Sequence, residues 1–270
     1  MDEVEAWRED RLARLREPMS WLTLVGLEWL RPGVNRLGSA PDVELRLPSG
    51  PPLAGSLLRN GLSVTARAER GTGLTHDGAE VNGLELVSDA DAAEREGPTL
   101  LELGDLRLCL IRRGERLGLR VWDTAAPARR DFVGIPHYPV DPRWQLAARF
   151  APGAPGETFP VPDVLGDVVD EPLPGTVAFD LDGVTHRIRA LDGGDGKLWL
   201  VFGDATNGDT TYGGGRFLYT DPPTPDGTVL VDFNRAYNPP CVFSPYATCP
   251  LPPAENRLSI RIEAGERLLT

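Results

Sequence analysis

Residues 175–204 read GTVAFDLDGVTHRIRALDGGDGKLWLVFGD, and this stretch decides what kind of fold the chain adopts. Three short runs rich in Val, Ile, Leu, Phe and Thr are separated by Leu181-Asp182-Gly183 and by Asp192-Gly193-Gly194. β-Branched and aromatic side chains suit a pleated, half-buried surface. Asp and Gly supply the backbone that tight turns require. The stretch therefore reads as strand, turn, strand, turn, strand.

The same texture extends in both directions. Downstream come GRFLYTD (215–221), TVLVDFN (228–234) and, beyond a Pro-rich stretch, RLSIRIEAG (257–265), the last expected to supply a closing strand. Upstream, VELRL, LSVTARA, EVNGLELV, TLLEL, LRLCLIRR and LGLRVWD alternate with Gly, Asn, Asp and Pro turns between residues 33 and 123. Strands at that spacing predict an antiparallel sandwich. Residues 124–175, rich in Pro and Gly, read as an ordered connector with a strand near 144–150, since Phe132, Tyr138, Trp144 and Phe150 require burial.

The N-terminus differs. Residues 3–16 place Val4, Trp7, Leu12 and Leu15 near one helical face, and Pro18 ends the helix. SWLTLVGLEWL (20–30) begins at a possible Ser20 cap and stops before Pro32-Gly33, so a short buried helix is expected, a strand being the alternative. The predicted fold is mainly β: a helical cap over 1–32, a β-sandwich-like domain over 33–123, and an antiparallel β domain over 124–270 closed by a Pro-rich ordered loop.

Composition narrows the function classes. The 270 residues carry a formal net charge of −12, with 41% hydrophobic and 25% charged residues. Such a balance buries a core and argues against nucleic acid and anionic membranes, which require a basic face. The one basic run, IRRGERLGLR (111–120), reads as a solvated hairpin. No apolar run reaches the ~18 residues of a membrane helix, and MDEVEAWREDRLARLREP lacks the apolar core of a secretion signal. A cytoplasmic location is expected.

Familiar catalytic signatures are missing. The sequence has no G-x-S-x-G elbow, no phosphate loop and no H-E-x-x-H zinc helix. YGGGR (212–216) lacks dinucleotide spacing and reads as a turn needing positive φ, and GDATNGD (203–209) lacks the ligand order of a calcium loop. His76, His137 and His186 are scattered, and Lys197 is the only lysine, so it alone offers Schiff-base chemistry. No metal or cofactor is expected.

The informative residues lie in FGDATNGDTTYGGGRFLYTD (202–221), DFNRAYNPPC (232–241), CPLPPAENRL (249–258) and AGE (264–266). In this order they resemble the bacterial family named domain of unknown function 1684. SWLTLVGLEWLRPG (20–33) and DFVGIPHYPVDPRW (131–144) are similar to the same family. The resemblance implies that these residues form one unit, and it implies no activity. Separately, GVNRLGS, VELRLPSG, GSLLRNGLSVTARA and LLELGDLRLCLI, within 33–123, resemble a forkhead-associated sandwich. Ser39 stands where that family has Arg, and its Ser-x-x-His element is absent, so only architecture is implied.

The polar side chains of these motifs form the candidate site: Asp204, Thr206, Thr211, Tyr212, Arg216, Asp232, Asn234, Tyr237 and Asn238. Alternate positions put Asp232 and Asn234 on one face of a strand end. Arg216, opening another strand, is expected to meet Asp232 and anchor an anionic ligand group, with Asp232 orienting it or acting as a base. Asn238 and Asn256 are expected to hold irregular backbone. Two functions fit: a small-molecule binder or metal-independent enzyme, or a non-catalytic interaction module whose polar cluster is structural. Cys241 and Cys249 are open to three readings: buried small residues, a disulfide or redox pair, or a metal site, which would lack two ligands. Cys109, in an apolar run, reads as a buried hydrophobe.

Overall fold

The computed structural model of the protein describes residues 2–92 and 97–269. The chain divides into two compact units: Arg14–Phe132, and the residues up to Ala13 together with those from Val133. It is mainly β, with antiparallel sheets and an N-terminal helix, α1 (Asp2–Leu15). Among the described residues, no helix is long and apolar enough to cross a membrane.

In the Arg14–Phe132 unit the strands are β1 Leu24–Trp29, β2 Gly33–Gly38, β3 Leu45–Arg46, β4 Gly55–Asn60, β5 Ser63–Ala68, β6 Thr75–His76, β7 Ala79–Glu80, β8 Asn82–Glu85, β9 Leu100–Leu103, β10 Leu106–Arg113 and β11 Arg116–Asp123. They form a six-stranded sheet, β1-β11-β10-β9-β6-β7, and a five-stranded sheet, β3-β2-β4-β5-β8. Leu37, Leu57 and Val64 from one sheet and Leu101, Leu108 and Leu119 from the other share one buried, leucine-rich core. The basic run at 111–120 is the β10–β11 hairpin, turning at Gly114. Its Arg112 and Arg113 are neutralised by Asp91 and Asp89, each at 2.8 Å.

The helix expected at 20–30 is not formed. Ser20 does hold a turn, its hydroxyl accepting from the Leu22 amide at 3.2 Å, but β1 follows and pairs antiparallel with β11. Gly26 lies so close to β11 that an added Cβ would stand 3.3 Å from Val121 Cβ. A short apolar run carries no period that separates a buried strand from a buried helix, and here the sheet edge wins.

The second unit contains β12 Gln145–Pro152, β13 Thr158–Pro162, β14 Val168–Pro172, β15 Gly175–Leu181, β16 Val184–Asp192, β17 Leu198–Phe202, β18 Arg216–Thr220 and β19 Thr228–Asp232. The three runs of 175–204 are β15, β16 and β17, consecutive neighbours in the sheet β18-β17-β16-β15-β12-β19. Asp182 and Gly183, at φ 52° and 79°, both occupy the left-handed region, the geometry of an Asp-Gly hairpin turn. The sheet curls into a half-barrel. Beyond β19 the chain returns to the opposite edge, where the Phe217 and Tyr237 amides donate to each other's carbonyls at 2.9 and 2.8 Å. This pairing covers an edge that would otherwise expose unpaired donors. Inside the curl, Phe233 packs against Trp144, Phe179 and Phe202 at ring separations of 5.3–6.4 Å.

The closing strand expected within 257–265 is also corrected. Only Arg257 makes a bridge there, to Gly203, and the rest is irregular. Its backbone is satisfied piecemeal: Leu258 N donates to Gly203 O at 2.8 Å, and Ala205 N to Ile260 O at 2.8 Å. Gly203 and Ala205 lie in a loop rather than on a straight strand edge, so no ladder can run. Gly215 makes the approach to β18 possible. Its φ is +88°, and a Cβ there would lie 2.4 Å from Pro252 Cγ and 2.7 Å from Phe202 O. Gly215→Ala combines a strained backbone with a clash and is expected to cost about 3 kcal/mol, checked by urea unfolding.

Candidate functional site

The structure gathers the candidate residues into separate groups. The first is built around Arg216, whose side chain turns inward from β18 and is fully buried. Its Nη2 donates to Asp204 Oδ2 at 2.6 Å and to Ile262 O at 2.8 Å, and its Nη1 donates to Ala264 O. Asp204 Oδ1 accepts from the Thr206 amide at 2.8 Å, the Thr206 hydroxyl at 2.6 Å and the Ile262 amide at 3.3 Å. Thr211 joins through its hydroxyl, 2.8 Å from that of Thr206. Every one of these partners is a backbone group or a side chain of the same network. Arg216 and Asp204 thus replace the ladder that residues 260–264 lack, which satisfies buried groups that would otherwise cost free energy.

The expected Arg216–Asp232 pair does not form. Arg216 is already held by Asp204 and two carbonyls, and Asp232 is engaged elsewhere. Its Oδ1 accepts from the Asn234 amide and side chain at 3.0 and 2.9 Å, and its Oδ2 accepts from Gln145 at 3.0 Å. Asn234 in turn exchanges two 3.0 Å hydrogen bonds with the Asp141 backbone. Asn256, fully enclosed, does the same for Arg189 and also reaches Val201 O at 2.9 Å. These amides act as surrogate backbone, Asn256 serving strands β16 and β17 rather than the irregular backbone it was expected to hold.

Tyr237 and Asn238 belong to a third group that includes two residues unmarked by the sequence reading. Glu266, fully buried, accepts two hydrogen bonds from the Arg11 guanidinium and one from the Asn238 amide at 2.7 Å. Arg11 also donates to Asn238 O at 2.9 Å and lies 4.5 Å over the Tyr237 ring. Burial pushes the Glu266 carboxyl upward, and Arg11 pulls it back. The available signal for Glu266 was its place in the closing A-G-E. Arg11 sat on the polar side of a helix and carried none.

The fourth group is Tyr212, Cys241 and Cys249. Both cysteines are free thiols, Cys249 buried and Cys241 half-buried. The Cys241 amide donates to Cys249 Sγ at 3.2 Å. Hydrogen bonds from the Cys249 thiol and the Tyr212 hydroxyl hold the Cys241 thiol down at about 7 against the opposing effect of burial. Burial and the bond to Cys241 push the Tyr212 phenol up to about 12. Among the described residues, no group of three or more His, Cys, Asp or Glu side chains is placed to hold a metal ion.

An open concavity lies elsewhere, inside the Arg14–Phe132 unit. A cleft of about 590 Å³ is lined by Arg16, Thr124, Arg129, Arg130 and Phe132. Arg129 Nε donates to Arg16 O at 2.7 Å and its Nη1 to Thr124 O at 3.1 Å. The Arg16 guanidinium stands 6.0 Å from the Phe132 ring. Arg130 is paired with Asp131 at 2.8 Å. Among the described residues, neither Arg16 nor Arg129 has a carboxylate within ion-pair distance. Arg129-Arg130 follows a proline in the sequence, but nothing local links that pair to Arg16.

A family model described as "Protein of unknown function (DUF1684)" matches residues 130–267. A solution NMR structure of an uncharacterized protein of Haloarcula marismortui is 32% identical, covers 52% of this chain and 79% of its own, and has a TM-score of 0.43. No curated protein matches the chain. The forkhead-associated resemblance of 33–123 finds no support in these comparisons.

Proposed function

The chain belongs to the DUF1684 family, and we propose that it is a cytoplasmic, non-metal binding protein for a small organic anion. The observation that carries this reading is the arginine cleft of the Arg14–Phe132 unit. In a chain of net charge −12, this one cleft brings together two arginines, Arg16 and Arg129, that have no carboxylate within ion-pair distance among the described residues. Arg129 is held by two carbonyl oxygens, so its planar fork is oriented without losing charge. A pre-oriented guanidinium is the group of choice for a carboxylate or phosphate. Phe132 adds an apolar wall, the usual companion of a few placed polar groups in a ligand site. Three cysteines, all free, suit a reducing compartment.

Arg216 was the sequence-based candidate for the anion anchor, but its donors point at Asp204 and two carbonyls, so an anion there would have to displace Asp204. The cleft offers the same chemistry without that cost. Titration calorimetry with inorganic phosphate and with phenyl phosphate, at low salt, tests the reading. Phenyl phosphate is expected to bind more tightly, through Phe132, and Arg129→Met to weaken both about tenfold, or ~1.4 kcal/mol. Binding that is absent at millimolar ligand, or unchanged in Arg129→Met, would overturn it.

A further inference from the structure

We propose that Cys241 and Cys249 form a reactive dithiol that hydroperoxides convert to a reversible disulfide, with Cys241 as the attacking thiol and Cys249 as the resolving one. This is independent of the anion cleft and lies in the other unit.

The geometry separates the pair from ordinary buried cysteines. Cys109 shows the ordinary case: alone in β10, it is buried, and burial pushes its thiol up to about 12. Cys241 sits instead at the rim of a short, closed loop. Pro239 and Pro240 lead into a 3-10 turn, where Val242 N donates to Pro239 O at 3.0 Å and Phe243 N to Pro240 O at 2.9 Å. Cys249 closes the loop from inside, its carbonyl accepting from Val164 N at 3.0 Å. Cys241 is thus the half-buried member and Cys249 the buried one, and the two are joined by the 3.2 Å contact from Cys241 N to Cys249 Sγ. Tyr212, from the loop before β18, places its hydroxyl on the Cys241 sulfur. Thiolate character and exposure select which cysteine reacts, and both favour Cys241.

With hydrogen peroxide the chemistry balances at one peroxide per dithiol, an organic hydroperoxide releasing its alcohol in place of the first water. The Cys241 thiolate attacks one peroxide oxygen, an S–O bond forms and the O–O bond breaks. The departing hydroxide takes up the proton that Cys241 had released and leaves as water. Cys249 sulfur then attacks the sulfenic sulfur, the S–S bond forms, and the sulfenic OH leaves with the Cys249 proton as a second water. The two sulfurs lose two electrons, and the peroxide gains them. A dithiol reductant reverses the step by exchange.

The test uses the full-length chain, reduced and then treated with one equivalent of hydrogen peroxide. The intact mass should fall by two hydrogens, and thiols counted in denaturant should drop from three to one, leaving Cys109. Cys249→Ser should stop at a sulfenic acid on Cys241 that dimedone traps. In the reduced wild type, alkylation of Cys241 by iodoacetamide should be half-maximal near pH 7, and Tyr212→Phe should move that midpoint upward. The wild-type measurements do not depend on any variant folding. Three thiols remaining after peroxide, a disulfide that includes Cys109, or a Cys241 midpoint at the ordinary ~8.5 would each overturn the proposal.

Discussion

Replacing Arg216 with Met is expected to lower the unfolding free energy by about 3–5 kcal/mol, the cost of leaving one member of a buried ion pair uncompensated. Asp204 is as deeply buried as Arg216, so its carboxylate would keep no cationic partner and no access to water. The loss is not electrostatic alone. Ile262 O and Ala264 O each lose a donor, and each buried unpaired group adds a desolvation cost of its own. Asp204→Ala should be comparably damaging, because it also strands the Thr206 and Ile262 amides. The double variant is expected to cost clearly less than the sum of the two, since the pair acts as a unit. Replacing both by apolar residues often rescues buried ion pairs elsewhere. Here rescue should be incomplete, because the two side chains stand in for missing backbone partners. Urea unfolding with an unchanged m-value is the measurement. A midpoint indistinguishable from wild type would return Arg216 to the list of ligand-binding groups.

The reach of sequence reasoning follows from how local each cause is. The β15–β16 hairpin was legible because Asp182-Gly183 carries its own turn geometry, and β16–β17 because Gly193 and Gly194 follow Asp192. β1 was not, because an apolar run of that length fits a buried helix and a buried strand equally well. RLSIRI alternates like a strand, yet a ladder needs a straight neighbouring edge, and the sequence does not reveal that the neighbour is the 203–205 loop. The polar residues singled out in the sequence are distributed over four separate groups, and the expected Arg216–Asp232 partnership is not among them. Asp204 and Asp232 are equivalent candidates for Arg216 in the sequence, and only the fold shows that Asp204 takes the guanidinium while Asp232 turns to Asn234 and Gln145. Cys241 and Cys249 left three readings open in the sequence, whereas the contact between them and the half-buried and buried positions emerge only from the fold. Arg16 and Arg129 are 113 positions apart, and no local pattern joins them.

Glu266→Ala is expected to cost about 3 kcal/mol and to loosen α1 specifically. Three contacts converge on Glu266: the Arg11 guanidinium and the Asn238 amide on its carboxylate, and the Ala236 carbonyl on its own amide at 2.8 Å. Removing the carboxylate leaves a buried amide without an acceptor and a guanidinium that is only 14% exposed without its counter-charge. Partial access of Arg11 to water keeps the cost below that of Arg216→Met. Glu266→Gln separates the two contributions, since its amide oxygen can still accept from Asn238 while the charge is gone, so roughly 1–2 kcal/mol is expected. Beside this anchor, α1 is docked by the buried Val4, by Trp7, whose ring lies 6.3 Å from that of Tyr237, and by Arg8 on Tyr138 O at 2.9 Å. Short helices draw most of their stability from such docking rather than from propensity. Amide exchange in α1 should therefore accelerate in Glu266→Ala and in Arg11→Met, by similar factors and without addition in the double variant. Global unfolding without a preceding rise in α1 exchange would mean that Glu266 supports the half-barrel itself, with the helix riding on it.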